Sequence, residues 1–401
     1  MSEMRKALSV SSLNPLMIAE ASLRANIIKL ESGSFLVAGQ NQFLTLWTRD
    51  FCHACRGLFA LGEIEVIKSH LGFLLENLNP QGLVPRVIDN QLVQFRVVYQ
   101  SLRKNLPFLP KLPIKEPLIP QYRDEHGSFA IDSNLLVLLV ALDLKQRGEE
   151  SWWLKHLANL KRVYQWYQLD AEGLITQGPF SDWQDSVNRS GHCFLTNFFF
   201  YLVSTRLQAL AIDVSVDLAM LKKTLHEKFY DQDSGLFKTH AELSVISLEG
   251  NLFSLEAQEF LESTQKEQVW QSLKRHPLMQ LDQGHLGRCS YPDYDPSQIA
   301  WHVRLAGLER YHGGLAWSWL MGLGLKVAIE REDALVVTQM LTKIHSLLIR
   351  DRDVVELYDP NELWEPWGSW LISSERPFSW GAGYLVEALK HLKQPFSQVA
   401  G

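Results

Sequence analysis

Apolar residues at helical spacing recur along almost the whole chain, in consecutive segments separated by short turns. The predicted helices cover Ile18 to Ile28, Phe51 to Leu78, Ile131 to Leu144, Ser151 to Tyr167, Phe194 to Ala211, Val216 to Phe229, Leu252 to Leu261, Gln265 to Arg275, Gly313 to Ile329, Glu332 to Arg350 and Trp380 to Lys393. Consecutive helices joined by short turns pack side by side as hairpins, and no strand–helix alternation of a parallel sheet occurs. The sequence therefore predicts an all-α fold of roughly a dozen helices paired in hairpins.

The hairpins are expected to close into one toroid. An open solenoid usually shows a repeat of about 34–47 residues, and the sequence contains none. No linker rich in Pro, Gly or Ser divides the chain, so residues 1–401 are predicted to form a single domain. Short strand-like segments, Ser34 to Val37 and Leu92 to Tyr99, lie between the helices.

The connections at 79–130, 168–193, 276–312 and 351–379 are long and irregular. Long loops in a compact domain tend to carry function. If the hairpins alternate up and down, these loops recur on the same side of the toroid. We therefore expect them to build one site on one face.

Composition and charge argue against several classes of function. The net charge is −6 and Lys and Arg form no run, so no nucleic-acid partner is expected. No segment approaches the roughly 18 uninterrupted apolar residues of a membrane helix, and no signal-type apolar stretch opens the chain. Few cysteines in a large chain fit a reducing compartment, so we expect a cytoplasmic protein. The histidines lack metal-ligand spacing and no nucleotide-binding motif occurs, so neither a metal nor a cofactor is expected.

Trp47, Arg49 and Asp50 stand just before a predicted helix. The charge of Asp50 could simply stabilise the helix start. The three residues could instead hold a sugar, with one ring face and two hydrogen-bonding charges. The 13 tryptophans of the chain allow a similar pair of interpretations, an aromatic core or a cleft that stacks on sugar rings.

Asp182 and Asp185 flank Trp183 in the second long loop. A carboxylic acid beside aromatic surface has a raised pKa and can donate a proton near neutral pH. The alternative is that both aspartates cap the next helix.

The last long loop is rich in acids and is the best source of a general base. Glu356 begins its Glu-Leu-Tyr-Asp-Pro segment, and Glu362, Glu365 and Glu375 follow. The alternative is a solvated acidic loop without a catalytic role.

Asp132, His312 and Trp317 are further candidates for contacts to a substrate. His312, in a Tyr-His-Gly-Gly step, and Trp317 could supply a hydrogen bond and an aromatic wall, or could belong to a glycine-rich helix start with core aromatics. Asp132 opens a predicted helix, where it is a good N-cap residue.

Several segments resemble, in their order and content, the (α/α)6-barrel glycoside hydrolases. This group includes glucoamylases, trehalase, mannosylglycerate and glucosylglycerate hydrolases, neutral invertases and the amylo-α-1,6-glucosidase domain of debranching enzymes. The segments are Trp47-Thr48-Arg49-Asp50, Gly82-Leu83-Val84-Pro85-Arg86, Trp183-Gln184-Asp185, Gly250-Asn251, Tyr311-His312-Gly313-Gly314 with Trp317, and Glu356-Leu357-Tyr358-Asp359-Pro360 with Pro377-Phe378-Ser379-Trp380. The resemblance is strongest over residues 40–395.

The resemblance implies an inverting glycoside hydrolase in which Asp185 is the general acid and Glu356 the general base. Relatives often carry Thr-Gly soon after the Asp-Pro step, where this chain has Asn361 to Trp364. Glu362, Glu365 and Glu375 therefore remain alternatives for the base. The substrate-binding residues expected are Trp47, Arg49, Asp50, Asp132, Trp183, His312, Trp317 and Trp380.

The expected substrate is a carbohydrate with an α-glucosidic bond, and the two carboxyls should lie about 6.5–9.5 Å apart. A neutral invertase acting on sucrose is the alternative enzyme. A sugar epimerase relying on cavity histidines and a glycan-binding protein without catalysis are alternatives from other classes, because function depends on the site rather than the fold.

Overall fold

The computed structural model describes residues 14–393, apart from 107, 125, 215 and 281–285. Helices dominate the described chain, and we number them in chain order. They are α1 (Pro15–Ala25), α2 (Thr48–Leu61), α3 (Ile64–Glu76), α4 (Val93–Asn105), α5 (Ile131–Gln146), α6 (Glu150–Gln165), α7 (Phe194–Ala209), α8 (Leu218–Phe229), α9 (Leu248–Glu256), α10 (Ser263–Arg275), α11 (Trp301–Leu305), α12 (Ser318–Glu330), α13 (Ala334–Asp351) and α14 (Ser379–Lys393).

Two concentric rings of helices form the body of the molecule. Helices α2, α5, α7, α9, α12 and α14 make the inner ring, in which each contacts the next and α14 returns to α2. The outer helices α3, α6, α8, α10 and α13 each pack on the inner helix before them, and α1 packs on α14. The predicted (α/α)6 toroid of helical hairpins is confirmed.

The ring closes where α14 meets α2, through two glycines that let the helix backbones touch. A Cβ on Gly57 would lie 2.6 Å from the Cα of Gly383, and a Cβ on Gly383 would lie 2.6 Å from the Cα of Ala54. Because no side chain fits between them, glycine at these positions sets the distance between the first and last inner helices.

Short strands lie in the connections between the helices. They are β1 (Ile27–Leu30), β2 (Gly33–Leu36), β3 (Leu46–Trp47), β4 (Val87–Asp89), β5 (Ile119–Gln121), β6 (Tyr230–Asp231), β7 (Leu236–Phe237), β8 (Ile246–Ser247), β9 (Ser290–Tyr291), β10 (Ala316–Trp317), β11 (Leu357–Asp359) and β12 (Glu365–Pro366). All pairs are antiparallel, and two three-stranded sheets form in the orders β3-β4-β5 and β10-β11-β12.

Three of the strands end directly at the N-terminal ends of inner helices. Strand β3 ends where α2 begins, β8 where α9 begins, and β10 where α12 begins. Since an outer helix returns after each inner one, the inner helices run in the same direction. Their N-terminal ends, and the long loops before them, therefore meet on one face.

Two predicted elements are wrong. The predicted helix from Phe51 to Leu78 is divided at Gly62, whose φ of 74° ends α2 in a left-handed cap and so creates the first hairpin. The strand-like segment from Leu92 to Tyr99 lies instead in α4, where its aromatic and β-branched residues suggested a strand. Arg96 on this helix is buried and makes a bidentate ion pair with Asp89, which ties α4 to β4.

A large apolar core fills the space between the two rings and includes side chains from all twelve of their helices. Inner helices such as α5 and α12 are buried along most of their length. Within the described ranges, no helix combines the length and apolarity that a membrane crossing requires.

Candidate active site

Asp185 lies in the turn before α7 and faces two cations. Its Oδ2 accepts a hydrogen bond from Arg49 Nη1 at 3.2 Å and from Arg86 Nη2 at 3.1 Å. Its side chain is 30% exposed, and no donor from the described residues reaches Oδ1. One oxygen is thus anchored by the protein while the other remains accessible.

Arg49 is itself held in place by Asp132, which lies in the first turn of α5. The guanidinium donates from Nε to Oδ2 at 2.8 Å and from Nη2 to Oδ1 at 3.1 Å, a bidentate arrangement. Burial raises the pKa of Asp132, against the lowering effect of Arg49. Since both of its oxygens bind Arg49, Asp132 fixes the orientation of that guanidinium group.

Asp182 is the alternative candidate for the proton donor, and its environment differs from that of Asp185. It is buried, and its Oδ1 accepts from Arg189 Nη2 and from the backbone N–H of Gln184, while Oδ2 accepts from Gln177 at 2.8 Å. Burial works to raise the pKa of Asp182, but the charge and hydrogen bond of Arg189, the hydrogen bond of Gln177 and the charge of Arg49 together lower it. Asp182 therefore holds the loop together and is not available to a substrate.

Glu356 is a buried carboxylate of the last long loop, with 2% of its surface exposed. The Tyr311 hydroxyl donates to Oε1, and the backbone N–H of Glu375 donates to Oε2 at 2.9 Å. Burial raises the pKa of Glu356 to about 8, against the lowering effect of these two hydrogen bonds. Both of its oxygens are fixed in position by donors.

The other glutamates of that loop occupy unsuitable positions for a base. Glu375 is fully buried, and its carboxylate accepts the backbone N–H groups of residues 40, 41 and 43, so it organises the loop before β3. Glu362 and Glu365 are exposed, and Glu365 pairs with Arg350 at 3.5 Å. Among these four glutamates, Glu356 alone is both buried and hydrogen-bonded to a side chain of another long loop, that of Tyr311.

Asp50 and Tyr311 connect the two halves of the site. Burial raises the pKa of Asp50 to about 7, Arg49 lowers it, and the charge of Asp185 raises it. Asp50 in turn raises the pKa of Glu356. Burial raises the pKa of Tyr311, as do the nearby charges of Glu356, Asp185 and Asp50. The three carboxyls are thus close enough to interact electrostatically around one phenol.

An aromatic cluster forms around Trp183, which stands two residues before Asp185. Trp183 meets Trp317, Trp319 and Trp380 edge to face, at ring distances of 5.5, 5.0 and 5.8 Å. Trp380 also stacks on His53 at 4.2 Å. Trp183, Trp317 and Trp380 are each less than 5% exposed, which fits a packed floor of the site.

Trp47 and His312 differ from this cluster. Trp47 is half-buried, and the Arg86 guanidinium lies 5.4 Å from its ring centre. His312 is buried, bonds Ser186 through Nδ1 and stacks on Trp317. Burial lowers the pKa of His312 to about 3, so its ring is neutral at physiological pH.

In the described ranges, one group of side chains has three possible metal ligands close together: Asp170, Glu172 and His192. Asp170 Oδ2 lies 2.6 Å from His192 Nε2, and Lys228 forms an ion pair with Glu172. Because the ammonium group of Lys228 already balances a negative charge there, this cluster is explained as a surface ion-pair network.

Arg86, Tyr311 and Glu249 are not among the site residues predicted from the sequence, although Arg86 and Tyr311 lie in segments that carry the resemblance. Arg86 and Tyr311 bond directly to Asp185 and Glu356. Glu249 is fully buried and accepts hydrogen bonds from Trp183 and Gln184, next to Asp185. An isolated acid in the first turn of an apolar helix was the signal that could have identified Glu249.

No protein-family model and no curated protein sequence matches the chain. Solved structures do. The chain superimposes on a rhamnosidase from Klebsiella oxytoca with rhamnose bound, with a TM-score of 0.64 and 13% identity over 96% of this chain; it spans 65% of the length of that enzyme.

Two further structures match over nearly their whole length. One is the GH63 mannosylglycerate hydrolase from Thermus thermophilus in complex with Tris, with a TM-score of 0.59, 13% identity, and coverage of 93% of this chain and 99% of that one. The other is a glycosidase variant in complex with glucose, with a TM-score of 0.57, 14% identity and coverage of 94% and 96%. The likeness establishes that the chain has the fold of the six-hairpin glycosidases, as the sequence motifs had predicted.

Proposed function

We propose that this six-hairpin toroid is an inverting glycoside hydrolase that cleaves an α-glucosidic bond, with Asp185 as general acid and Glu356 as general base. The observation that carries the proposal is the arrangement of these two carboxyls. They stand on different long loops at the N-terminal end of the inner ring, and each interacts electrostatically with Asp50 and Tyr311. The solved structures of the same fold that carry sugars or sugar-hydrolase names add support.

In the proposed reaction, protonated Asp185 gives its proton to the glycosidic oxygen through the accessible Oδ1. Ionised Glu356 removes a proton from a water molecule that attacks the anomeric carbon from the opposite face. Room for that water requires a carboxyl separation of about 6.5–9.5 Å. Tyr311 and the backbone N–H of Glu375 would keep the carboxylate of Glu356 aimed at the water.

The sugar at the nonreducing end would contact Arg49 and Asp50, with the half-buried Trp47 as a ring wall. Asp132 would act through Arg49, whose orientation it fixes. Trp183, Trp317, His312 and Trp380 would form the floor of this pocket, since all four are buried. No step requires a cofactor.

The charges of the free protein favour an exchange of the two roles, and this is the second candidate mechanism. Burial raises the pKa of Glu356 to about 8, so this carboxyl is mainly protonated at neutral pH. The carboxyl of Asp185, in contrast, contacts the guanidinium groups of Arg49 and Arg86. In the mechanism with Asp185 as acid, Glu356 must first lose its proton before it can act as the base.

The substrate test compares sucrose, trehalose, isomaltose, maltose, glucosylglycerate and α-glucosyl fluoride, with release of glucose as the readout. We expect cleavage of an α-glucoside. Preference for sucrose would favour the invertase alternative, and binding of oligosaccharide without any release of sugar would favour a glycan-binding protein. The epimerase alternative predicts conversion without hydrolysis; it has little support, because His312 is neutral and bonded to Ser186.

The residue test uses Asp185→Asn and Glu356→Gln, with Glu365→Gln as the matched control. We expect each of the first two to lower kcat by orders of magnitude on sugars with poor leaving groups. Fluoride leaves without a proton from the enzyme, so an Asp185→Asn protein that keeps activity on glucosyl fluoride identifies Asp185 as the acid. If Glu356→Gln keeps that activity instead, the roles are exchanged. Near-full activity of both variants on every substrate would refute the proposal.

A further inference from the structure

Glu249 is a buried acid that neither proton transfer step uses. It lies in the first turn of the inner helix α9 and is fully buried. Placing an unpaired carboxylate in a protein interior is costly, so a buried one is expected to bind specific donors. The side-chain donors described at Glu249 Oε1 come from the loop that carries Asp185.

Two consecutive residues of that loop converge on one oxygen of Glu249. Trp183 donates from Nε1 and Gln184 from Nε2, each at 3.1 Å to Oε1. These residues directly precede Asp185. The carboxylate therefore binds the two side chains that determine where the backbone of Asp185 lies.

Further hydrogen bonds fix the residues on either side of Asp185. The amide oxygen of Gln184 accepts a hydrogen bond from the Tyr294 hydroxyl, which ties the turn to the third long loop. Ser186, directly after Asp185, bonds His312. Between these anchors, Asp185 projects towards Arg49 with its Oδ1 accessible.

The strength of the Glu249 contacts depends on charge. Hydrogen bonds to an ionised acceptor are roughly twice as strong as those between neutral groups. Burial raises the pKa of Glu249 to about 7, while Arg189, Trp183 and Ser247 favour its ionised form. An amide at this position would keep the shape of the side chain but lose the charge.

We propose that Glu249 is a positioning residue, which holds the Trp183-Gln184-Asp185 turn so that the Asp185 carboxyl reaches the glycosidic oxygen. This inference rests on the proposed function, since it assigns Glu249 an effect through the general acid. A one-ångström displacement of a catalytic group can cost about 100-fold in rate. The effect should therefore fall on proton donation and spare substrate binding.

The test is Glu249→Gln, measured on a glucoside with a poor leaving group and on α-glucosyl fluoride. We expect kcat to fall about 10- to 100-fold on the first substrate, with KM unchanged within about twofold and with activity on the fluoride nearly retained. The control is Glu256→Gln on the same helix. Glu256 is half-buried and forms ion pairs with Arg56 and Lys326. This variant should therefore lose stability, but the ratio of its rates on the two substrates should not change.

An equal loss on both substrates, or a rise in KM alone, would overturn the proposal. A readout that does not require turnover is the indole N–H resonance of Trp183, assigned with Trp183→Phe. We expect it to move upfield in Glu249→Gln, because the acceptor loses its charge. An unchanged resonance would overturn the proposal even if the wild-type protein cleaved none of the glucosides, and such inactivity would count against the proposed function alone.

Discussion

Replacing Glu356 with Gln should stabilise the protein while it abolishes turnover. The wild-type side chain is 2% exposed, and burial raises its pKa to about 8, whereas an unfolded glutamate has a pKa near 4.5. Between pH 4.5 and pH 8, the Glu356 carboxyl keeps its proton in the folded protein but loses it in the unfolded chain. Stability therefore falls as the pH rises from about 4.5 to 8, and the full penalty is present above pH 8.

The magnitude follows from about 1.4 kcal/mol for each tenfold difference in proton affinity. At pH 5 the ionisation of Glu356 costs less than about 1 kcal/mol, and at pH 8 it costs about 4 kcal/mol as an upper bound. A glutamine does not ionise. Its oxygen can accept the Glu375 N–H while its NH₂ group donates to the Tyr311 hydroxyl, so both existing contacts can be kept.

The assay is urea unfolding of wild type and Glu356→Gln between pH 5 and pH 8. We expect the difference in unfolding free energy to grow in favour of the variant by about 3 kcal/mol across this range. Glu365→Gln, in the same loop but exposed, should show no such trend. A difference that does not change with pH, or a variant that is less stable at pH 8, would refute the reasoning about burial of Glu356.

Three other variants test separate parts of the structure. Tyr311→Phe removes a donor to Glu356, so kcat at pH 7 should fall about 10- to 100-fold with KM little changed; an unaltered kcat would exclude this contact from catalysis. Asp182→Asn leaves the buried Arg189 without its charged partner and should cost about 3–5 kcal/mol in urea unfolding; a fully stable variant would contradict that. Gly57→Ala forces a Cβ against the backbone of α14 and should cost about 1–3 kcal/mol by the same assay, a loss that a neutral result would disprove.

Helical spacing predicted the outer helices well because each of them buries one side. Inner helices such as α5 and α12 are buried on nearly every side and stand out instead as continuous apolar segments. The divided helix at Gly62 was missed since its apolar pattern continues into α3, and only the positive φ reveals the turn. The helix α4 was missed for a different reason. The side chains of Leu92, directly before it, and of Phe95 and Val98 within it are exposed, so their apolar character did not report burial.

The site could be predicted only in part. The order of the motifs pointed to Asp185 and Glu356, but sequence alone could not separate Asp185 from Asp182. That distinction depends on Arg189, which lies later in the same loop and donates a hydrogen bond to Asp182. In the same way Glu375 was an open alternative to Glu356, because the backbone N–H groups that saturate it come from the opposite end of the chain.

The stereochemistry of hydrolysis tests the central proposal most directly. Proton NMR can follow the anomer of glucose that forms first when the wild-type protein is mixed with α-glucosyl fluoride. A single displacement by water, with Asp185 and Glu356 on opposite faces of the ring, predicts that β-glucose appears first and then mutarotates. Initial formation of α-glucose would contradict the inverting mechanism, and no release of fluoride would contradict hydrolysis at this site.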